Sequence, residues 1–310
     1  MRSLSLSFLQ DLLDGKLAPL LARVKEDDSL DLQIRENYVN VYFRGGNLLC
    51  VKQVGEHVYS FEFDQKYGDL PDRPRIVVVP PQLLVSSAEQ CSGWLENTPL
   101  LKDLMARWFT AHPKRERDVQ QVFTRENTWD PAVAGGTDYF VCDIEYARGD
   151  ARFDAIAVRW PSSATERKRK TGHRLAFVEL KYGDGALAGT SGIVEHTAQV
   201  DRLCGDAAAL MDLKKEMLGL FQQKHALGLI GNQHSLESFG DEVPQLILLV
   251  ANHDPASAIL ARELERITAN PPIHVEVLVA SASDFGYGLY EDRCVSVPSY
   301  LARWARGGRP

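Results

Sequence analysis

Two short runs of this 310-residue chain decide its fold. Residues 152–160 read Arg-Phe-Asp-Ala-Ile-Ala-Val-Arg-Trp, and residues 175–182 read Leu-Ala-Phe-Val-Glu-Leu-Lys-Tyr. Apolar and β-branched residues on either side of a polar segment predict two β-strands. Strand side chains alternate between the two faces of a sheet, and both faces of the second run are apolar. We therefore expect the second run to be a central strand that is covered on both sides.

Three charged residues stand out in this apolar setting. Glu179 and Lys181 lie at the end of the second run, and Asp154 lies near the start of the first. If the two runs form an antiparallel hairpin, these places are neighbours. Charges on a buried strand are costly unless they are paired or bind a metal. Two carboxylates can hold Mg²⁺, and a nearby lysine can orient water and offset phosphate charge.

The pattern Asp…Glu-x-Lys across a hairpin resembles the PD-(D/E)XK nuclease superfamily. The matching residues are Asp154, Glu179 and Lys181, and the resemblance covers roughly residues 115–280. Phe153 precedes Asp154 where the superfamily pattern has proline, a position that varies among its members. The resemblance implies a restriction-endonuclease-like fold and metal-dependent hydrolysis of phosphodiester bonds in nucleic acid, with DNA the favoured substrate.

The resemblance also implies roles for individual residues. Asp154 and Glu179 are expected to hold Mg²⁺ or Mn²⁺ with the help of the Leu180 carbonyl. Lys181 is expected to position the attacking water. Glu116, which starts the preceding helix, is expected as an additional ligand or water anchor. The alternative for Glu116 is a first-turn glutamate that the helix dipole favours.

Further residues are candidates for lining this site. Glu126, at the other end of the same predicted helix, is the substitute for Glu116. Glu145 lies on the strand before the hairpin, and its alternative is a surface carboxylate. Gln199 lies on the helix after Lys181, and its alternative is a solvated helix face. We expect His196, on the same helix, to be a surface histidine and not a ligand.

A basic segment joins the two runs. We interpret it as an arm beside the site that contacts phosphates without reading sequence, and the alternative is a solvated hairpin tip. Its residues are Arg167, Lys168, Arg169 and Lys170.

Composition limits the class of protein. A 45% hydrophobic and 25% charged composition is typical of a globular protein. No run approaches the roughly 18 apolar residues that cross a bilayer, and the start lacks a signal-peptide pattern. Five scattered cysteines without a CxxC pair predict reduced thiols in a cytoplasmic protein without a zinc site. The net charge of −7 excludes a surface coated in basic patches but not a nuclease.

The order of predicted elements gives an α/β (α+β) chain with two domains. Residues 1–110 form an N-terminal α+β domain with a β-meander over 31–63, a further strand at 75–79 and helical segments over 4–24 and 83–111. Residues 111–310 form a mixed β-sheet flanked by helices, with strands at 139–146, 245–252 and 273–280 besides the two decisive runs, and helices at 115–127, 193–227, 255–269 and 297–306. This order agrees with the core order of the superfamily.

Two rival functions stay open. The first is a catalytically inactive nuclease-like fold that binds nucleic acid or serves protein assembly. The second is a structural protein whose basic segment meets an acidic partner protein. In each case we expect no membrane association, and we assign the N-terminal module a recognition or partner-binding role, through homodimerisation or a protein partner.

Overall fold

The computed structural model describes residues 1–68, 83–128, 136–254 and 256–307, without the side chains of residues 284 and 285. The chain divides into two compact units. The first comprises residues 1–121 and 223–229, and the second comprises residues 122–222 and 230–310. The strand predicted at 75–79 lies outside the described residues.

The first unit begins with two short helices in place of one. Helix α1 spans Leu6–Leu13 and α2 spans Ala18–Glu26. Pro19 lies in the first turn of α2, where a missing N–H costs no helical hydrogen bond. The helical segment predicted over 4–24 is therefore two helices, and the second begins near this proline.

An antiparallel meander forms the sheet of the first unit. Its strands follow chain order, β1 (Leu30–Ile34), β2 (Tyr38–Phe43), β3 (Gly46–Gly55), β4 (Val58–Glu62) and β5 (Leu83–Val85). Arg44 and Gly45 join β2 to β3, and both have positive φ angles, 52° and 70°. Two such residues suit the tight turn whose twist matches that of a hairpin.

The helical segment predicted over 83–111 is wrong at its start. Leu83–Val85 is a strand that pairs with β4, because the edge of that sheet offers hydrogen bonds which local propensity does not register. Two helices then follow, α3 (Ala88–Leu95) and α4 (Thr98–Ala111). Buried aromatic residues join the sheet to the helices of this unit: the Tyr59 ring lies 4.8 Å from the ring of Phe8 on α1, and the Phe61 ring lies 5.4 Å from the ring of Trp94 on α3.

The second unit is built on a six-stranded mixed sheet in the order β11-β10-β9-β8-β7-β6. Strands β6, β7 and β8 are antiparallel, β8, β9 and β10 are parallel, and β11 returns antiparallel to β10. In chain order from residue 115 the elements are α5 (Arg115–Glu126), β6 (Tyr139–Arg148), β7 (Ala151–Arg159), α6 (Ala164–Lys168), β8 (Arg174–Tyr182), α7 (Ile193–Gly205), α8 (Ala207–Ala226), β9 (Gln245–Ala251), α9 (Ala258–Ala269), β10 (Glu276–Ser281), α10 (Ala282–Phe285), β11 (Val295–Ser296) and α11 (Val297–Arg306). The start of α5 and the end of α8 are counted with the first unit.

This architecture confirms the predicted fold class. The protein is α+β, with an N-terminal five-stranded antiparallel meander and a C-terminal six-stranded mixed sheet with helices. Strand β8 is central, and its residues from Leu175 to Lys181 are all buried, as the apolar character of both faces predicts. The order of helix, three strands, helix, strand, helix, strand is also confirmed.

The long helix predicted over 193–227 is wrong, because it is two helices. The chain leaves helical geometry at Asp206, whose side chain accepts hydrogen bonds from the N–H groups of Ala208 and Ala209. An aspartate in this role satisfies the free donors of a helix start. The break therefore follows from a capping residue inside an otherwise periodic apolar pattern.

None of the helices in the described ranges combines the length and apolar character that crossing a membrane requires. The five cysteines are free thiols, and four of them are buried.

Candidate active site

The site begins where β7 and β8 separate. Their ladder of paired residues runs from Arg159↔Arg174 to Ala155↔Val178 and ends one position before Asp154. Beyond that point the backbone N–H of Leu180 donates to a side chain and not to the backbone of β7: Asp154 Oδ2 accepts this hydrogen bond at 2.8 Å. Strand β8 continues beside β9 to its last residue, so the opening lies on the β7 side alone.

Glu179 and Lys181 form a buried ion pair on β8. Lys181 Nζ lies 2.7 Å from Glu179 Oε1, and the two side chains are only 8% and 5% exposed. The same ammonium donates to the Ser191 carbonyl at 2.8 Å. Leu180 stands between these residues and bonds to Asp154, so the structure brings the predicted Asp, Glu and Lys together at one end of the hairpin.

The expectation that His196 is a surface histidine is wrong. Its side chain is 15% exposed, and its Nδ1 lies 3.2 Å from Glu179 Oε1, so it is not a surface histidine. Helix α7 packs on β7 and β9, and position 196 falls on the face that points at the sheet. Burial and then the Lys181 charge lower the pKa of His196 to about 4. The sequence gave no signal for this contact, because the face of α7 that meets the sheet is set by tertiary packing.

Glu145 lies beside Asp154 in the strand register. Its neighbours Ile144 and Tyr146 pair with Ala155 and Phe153, which flank Asp154. The φ angle of Glu145 is 49°, a left-handed conformation that is uncommon for a residue with a side chain. Backbone strain of this kind concentrates at functional sites, so this glutamate belongs among the candidate site residues.

The basic segment is not beside the site, and that expectation is wrong. It joins the end of β7 to the start of β8, whereas Asp154 and Lys181 lie at the opposite end of the hairpin. Arg159 lies five positions after Asp154, which is about 17 Å along an extended strand. Part of the segment is the short helix α6 and not a loop.

The cations of this segment are partly used within the protein. The Arg167 guanidinium lies over the Phe140 ring at 4.6 Å, and burial lowers its pKa. Arg169 donates to the Gly172 carbonyl at 2.7 Å, and Lys170 lies 3.4 Å from Glu237. Lys168 is exposed. The nucleic-acid contact that the sequence suggested for these four residues stays a prediction.

The remaining candidates are dispersed. Gln199 donates to Glu195 one turn earlier on α7 at 3.3 Å, so the predicted polar stripe is a network within one helix. Glu126 accepts the N–H of Tyr287 at 3.2 Å. Glu116 is half-buried and belongs to the first unit, whereas the Asp154 site belongs to the second. Its expected role stays a prediction.

A histidine–carboxylate pair at the same edge of the sheet was not foreseen. Asp184 follows β8 and His253 follows β9, and the two side chains meet with His253 Nδ1 2.8 Å from Asp184 Oδ1. Parallel neighbouring strands bring their following loops to one edge. The signal available in the sequence was that each residue comes shortly after a buried strand.

A cavity of about 370 Å³ lies elsewhere in the second unit, between α7 and α9. The charged residues that line it are Arg202, Arg266 and Asp201. Each already makes an ion pair or a hydrogen bond with another residue of the protein. Asp154, Glu179 and Lys181 do not line it.

The residues of the site suit a divalent cation. Asp154 and Glu179 supply carboxylate oxygens, and Leu180 supplies a backbone carbonyl. His196 Nδ1 is a buried polar atom without a hydrogen-bond partner, and it faces Glu179. Within the described ranges, no three His, Cys, Asp or Glu side chains gather as a metal-binding group. The two carboxylates and the Leu180 carbonyl are oxygen donors of the kind used by an ion that keeps several waters, as Mg²⁺ does.

Comparison with protein-family models, with curated proteins and with solved structures finds no match to this chain.

Proposed function

We propose that this protein is a metal-dependent nuclease that hydrolyses phosphodiester bonds in nucleic acid, with DNA the favoured substrate. The observation that carries the proposal is that Asp154 bonds to the backbone N–H of Leu180, the residue between Glu179 and Lys181, where β7 leaves β8. Two carboxylates can hold a cation and an ammonium can orient the attacking water, and hydrolysis of a phosphodiester bond uses both functions.

Asp154 and Glu179 would hold the ion, Mg²⁺ or Mn²⁺, together with the Leu180 carbonyl. When bound, such an ion supplies stabilisation of the charge that develops on the phosphoryl and leaving oxygens. Lys181 is held by Glu179 and the Ser191 carbonyl, so its ammonium has a fixed position. A fixed ammonium can orient a water molecule toward the phosphorus and offset phosphate charge.

Two features of the second unit support this proposal. The antiparallel β6–β7–β8 meander followed by the parallel strand β9 beside β8 agrees with the core order of the PD-(D/E)XK superfamily that the sequence resembles. The strained backbone of Glu145, next to Asp154 in the register, adds a third carboxylate at the same level of the sheet.

A second candidate function is a nuclease-like fold that binds nucleic acid or a protein partner without cleavage. The observation that favours it is the mutual pairing and burial of Glu179 and Lys181, each less than a tenth exposed. An ion pair of this kind also occurs as a purely structural feature. Metal binding distinguishes the two candidates.

Cleavage of linear, circular and single-stranded DNA, with Mg²⁺ and with Mn²⁺, tests the proposal. Asp154→Asn is the informative variant, because its amide oxygen can still accept the Leu180 N–H while the charge is lost. Asp292→Asn is the matched control, since that carboxylate is 76% exposed and pairs with Arg293 at the surface.

We expect metal-dependent cutting in the wild type and in Asp292→Asn, and a loss of at least about a hundredfold in Asp154→Asn, as for removal of one transition-state contact. Equal cutting by Asp154→Asn and the wild type would refute the assigned site. Absence of cutting together with absence of Mg²⁺ or Mn²⁺ binding by calorimetry would favour the binding-only fold.

The location of the protein and the role of its first unit are also part of the proposal. A cytoplasmic location agrees with five free thiols, because disulfides are rare in that compartment. The meander unit would serve recognition, through a second copy of the chain or another protein.

A further inference from the structure

We propose that the cavity between α7 and α9 binds a single nucleotide whose base carries an exocyclic amino group, such as dCMP. Its volume of about 370 Å³ lies within the range of small-molecule sites. Such sites combine an apolar lining with a few polar groups that fix the orientation of the ligand. Asp154, Glu179 and Lys181 do not line the cavity, so the inference is independent of the proposed function.

Apolar side chains form the part of the cavity that suits a base. Val194 comes from α7 and Ile267 from α9, and Pro271 and Pro272 come from the segment that follows α9. A nucleobase is a flat ring system, and contact of its faces with apolar groups is favourable because both surfaces leave water. The cavity therefore offers apolar surface for a base.

Two arginines that line the same cavity can hold a phosphate. Arg202 on α7 uses one guanidinium nitrogen, Nη2, for its contacts with Asp150 at 2.8 Å and Glu195 at 3.7 Å. Arg266 on α9 uses Nη1, which lies 2.5 Å from Glu263. No described residue bonds the other guanidinium nitrogens of these two arginines. Nε and Nη2 of Arg266 can together bond two oxygens of one phosphate, and Nε and Nη1 of Arg202 are further donors.

The carboxylates beside these arginines leave the cavity positive. Its charged lining residues are two arginines and one aspartate, which gives the lining a net charge of +1. The ion pairs of Arg202 are exposed at the surface, where such pairs are weak and are screened by salt. Glu263 is buried and is shared by Arg262 and Arg266, so two guanidinium charges meet one carboxylate. A phosphate is therefore complementary to this lining.

Asp201 supplies the group that selects the base. Its Oδ1 accepts the backbone N–H groups of Ile273 at 2.9 Å and His274 at 2.6 Å, which fix the carboxylate. No described residue donates to its Oδ2, so this second oxygen is available to a ligand. A carboxylate accepts a hydrogen bond from an amino group such as N4 of cytosine, and it cannot donate to a carbonyl at the same position. The cavity therefore favours a base with an amino group.

Isothermal titration calorimetry of the full chain in EDTA tests the inference, because removing divalent cations excludes both the proposed metal site and cleavage. We expect one dCMP to bind per chain. dUMP has a carbonyl in place of the 4-amino group, and it should bind about tenfold or more weakly, as for the loss of a hydrogen bond to a charged group. Deoxycytidine, which lacks the phosphate, and inorganic phosphate should each bind more weakly than dCMP.

Two arginines on α9 give a matched pair of variants. Arg262 and Arg266 both contact Glu263 and are 62% and 58% exposed, but of the two only Arg266 lines the cavity. Arg266→Gln should weaken dCMP binding by about tenfold, since a hydrogen bond between charged groups is lost. Arg262→Gln should change it by less than about twofold, as for a surface substitution away from the ligand.

Asp201→Asn tests the selection of the base. The asparagine oxygen can still accept the N–H groups of Ile273 and His274, and its amide nitrogen then donates where Oδ2 accepted. We expect the preference for dCMP over dUMP to disappear in this variant. A purely structural role of Asp201 would lower both affinities equally.

The same chemistry can come from a free nucleotide or from an unstacked nucleotide of a single strand. Titration of d(TTCTT) and d(TTTTT) in EDTA distinguishes these sources. Tighter binding of the cytosine-containing strand, lost in Arg266→Gln, identifies a nucleotide within a strand. Equal binding of the two strands, beside tight binding of dCMP, identifies the free nucleotide.

Three results would overturn the inference: no saturable dCMP binding by the wild type, equal affinities for dCMP and dUMP, or equal effects of Arg266→Gln and Arg262→Gln. Each leaves the nuclease proposal untouched, because that proposal depends on cleavage and metal binding at Asp154. The wild-type comparison of dCMP with dUMP decides the selection of the base even if the Asp201 variant fails to fold.

Discussion

Removing one partner of the Glu179–Lys181 pair should destabilise the protein strongly. Lys181→Met keeps a side chain of similar length but removes the ammonium. The Glu179 carboxylate then stays buried beside His196 Nδ1, and the Ser191 carbonyl loses its donor. A buried charge without its opposite partner destabilises the folded state, because no attraction offsets the hydration that it lost on burial.

The magnitude follows from the burial of both groups. Side chains that are 8% and 5% exposed are nearly as far from water as core residues. Breaking a buried pair by removing one partner costs about 3–5 kcal/mol, whereas replacing both partners by neutral residues is often close to neutral. We therefore expect Lys181→Met and Glu179→Gln each to cost about 3–5 kcal/mol, and the double variant to cost less than either one.

Urea unfolding of the four proteins, followed by circular dichroism at neutral pH, measures this cycle. Arg202→Met is the matched control, because it breaks an ion pair with Asp150 in which the side chains are 55% and 68% exposed. Exposed pairs contribute about 0–1 kcal/mol. If Lys181→Met costs no more than Arg202→Met, or if the two single changes simply add, the pair is not a buried, coupled unit and the reasoning fails.

Two further predictions concern the first unit. Gly45→Ala should cost at least about 1 kcal/mol more than Gly149→Ala by urea unfolding. Both glycines have positive φ, but a Cβ at position 45 would overlap the Arg117 backbone, and one at 149 would meet open space; equal costs would contradict this. Burial raises the pKa of Asp11, but hydrogen bonds from Tyr59 and His57 outweigh it and hold the pKa below 3.8. That contribution is present above pH 3.8 and is lost as the pH falls through the folded value. Asp11→Asn should therefore cost about 2 kcal/mol at pH 7, and its deficit should shrink in acid; a deficit independent of pH would contradict the assignment.

The sequence predicted the hairpin and its three charged residues because that information is local. Asp154, Glu179 and Lys181 are unusual within two strongly apolar runs, and antiparallel pairing of consecutive strands brings their ends together. The same reasoning should have excluded the basic segment from the site. The basic segment joins the end of β7 to the start of β8, whereas Asp154 lies near the start of β7. Arg167 and its neighbours therefore lie at the opposite end of the hairpin from Asp154.

The contacts that the sequence did not predict depend on tertiary packing. The orientation of His196 is set by the way α7 lies on β7 and β9, and a shift of one residue in helical phase would turn it away from Glu179. The strand Leu83–Val85 exists because an edge of another strand accepts it. The break at Asp206 needed only a capping residue, but the apolar periodicity on both sides concealed it.

The stability of the fold by itself gives little reason for Glu179 and Lys181 to occupy a central strand. Apolar residues of similar volume at two buried, adjacent positions would satisfy the sheet at least as well. Polar groups are also concentrated where β7 and β8 separate. There the Leu180 N–H donates to the Asp154 carboxylate, and Glu145 on the neighbouring strand has a strained backbone conformation. If the double variant in the unfolding cycle proves as stable as the wild type, the pair is dispensable for folding. Its chemistry would then be the remaining reason for its presence, and loss of metal binding in that stable double variant would connect the pair directly to the proposed site.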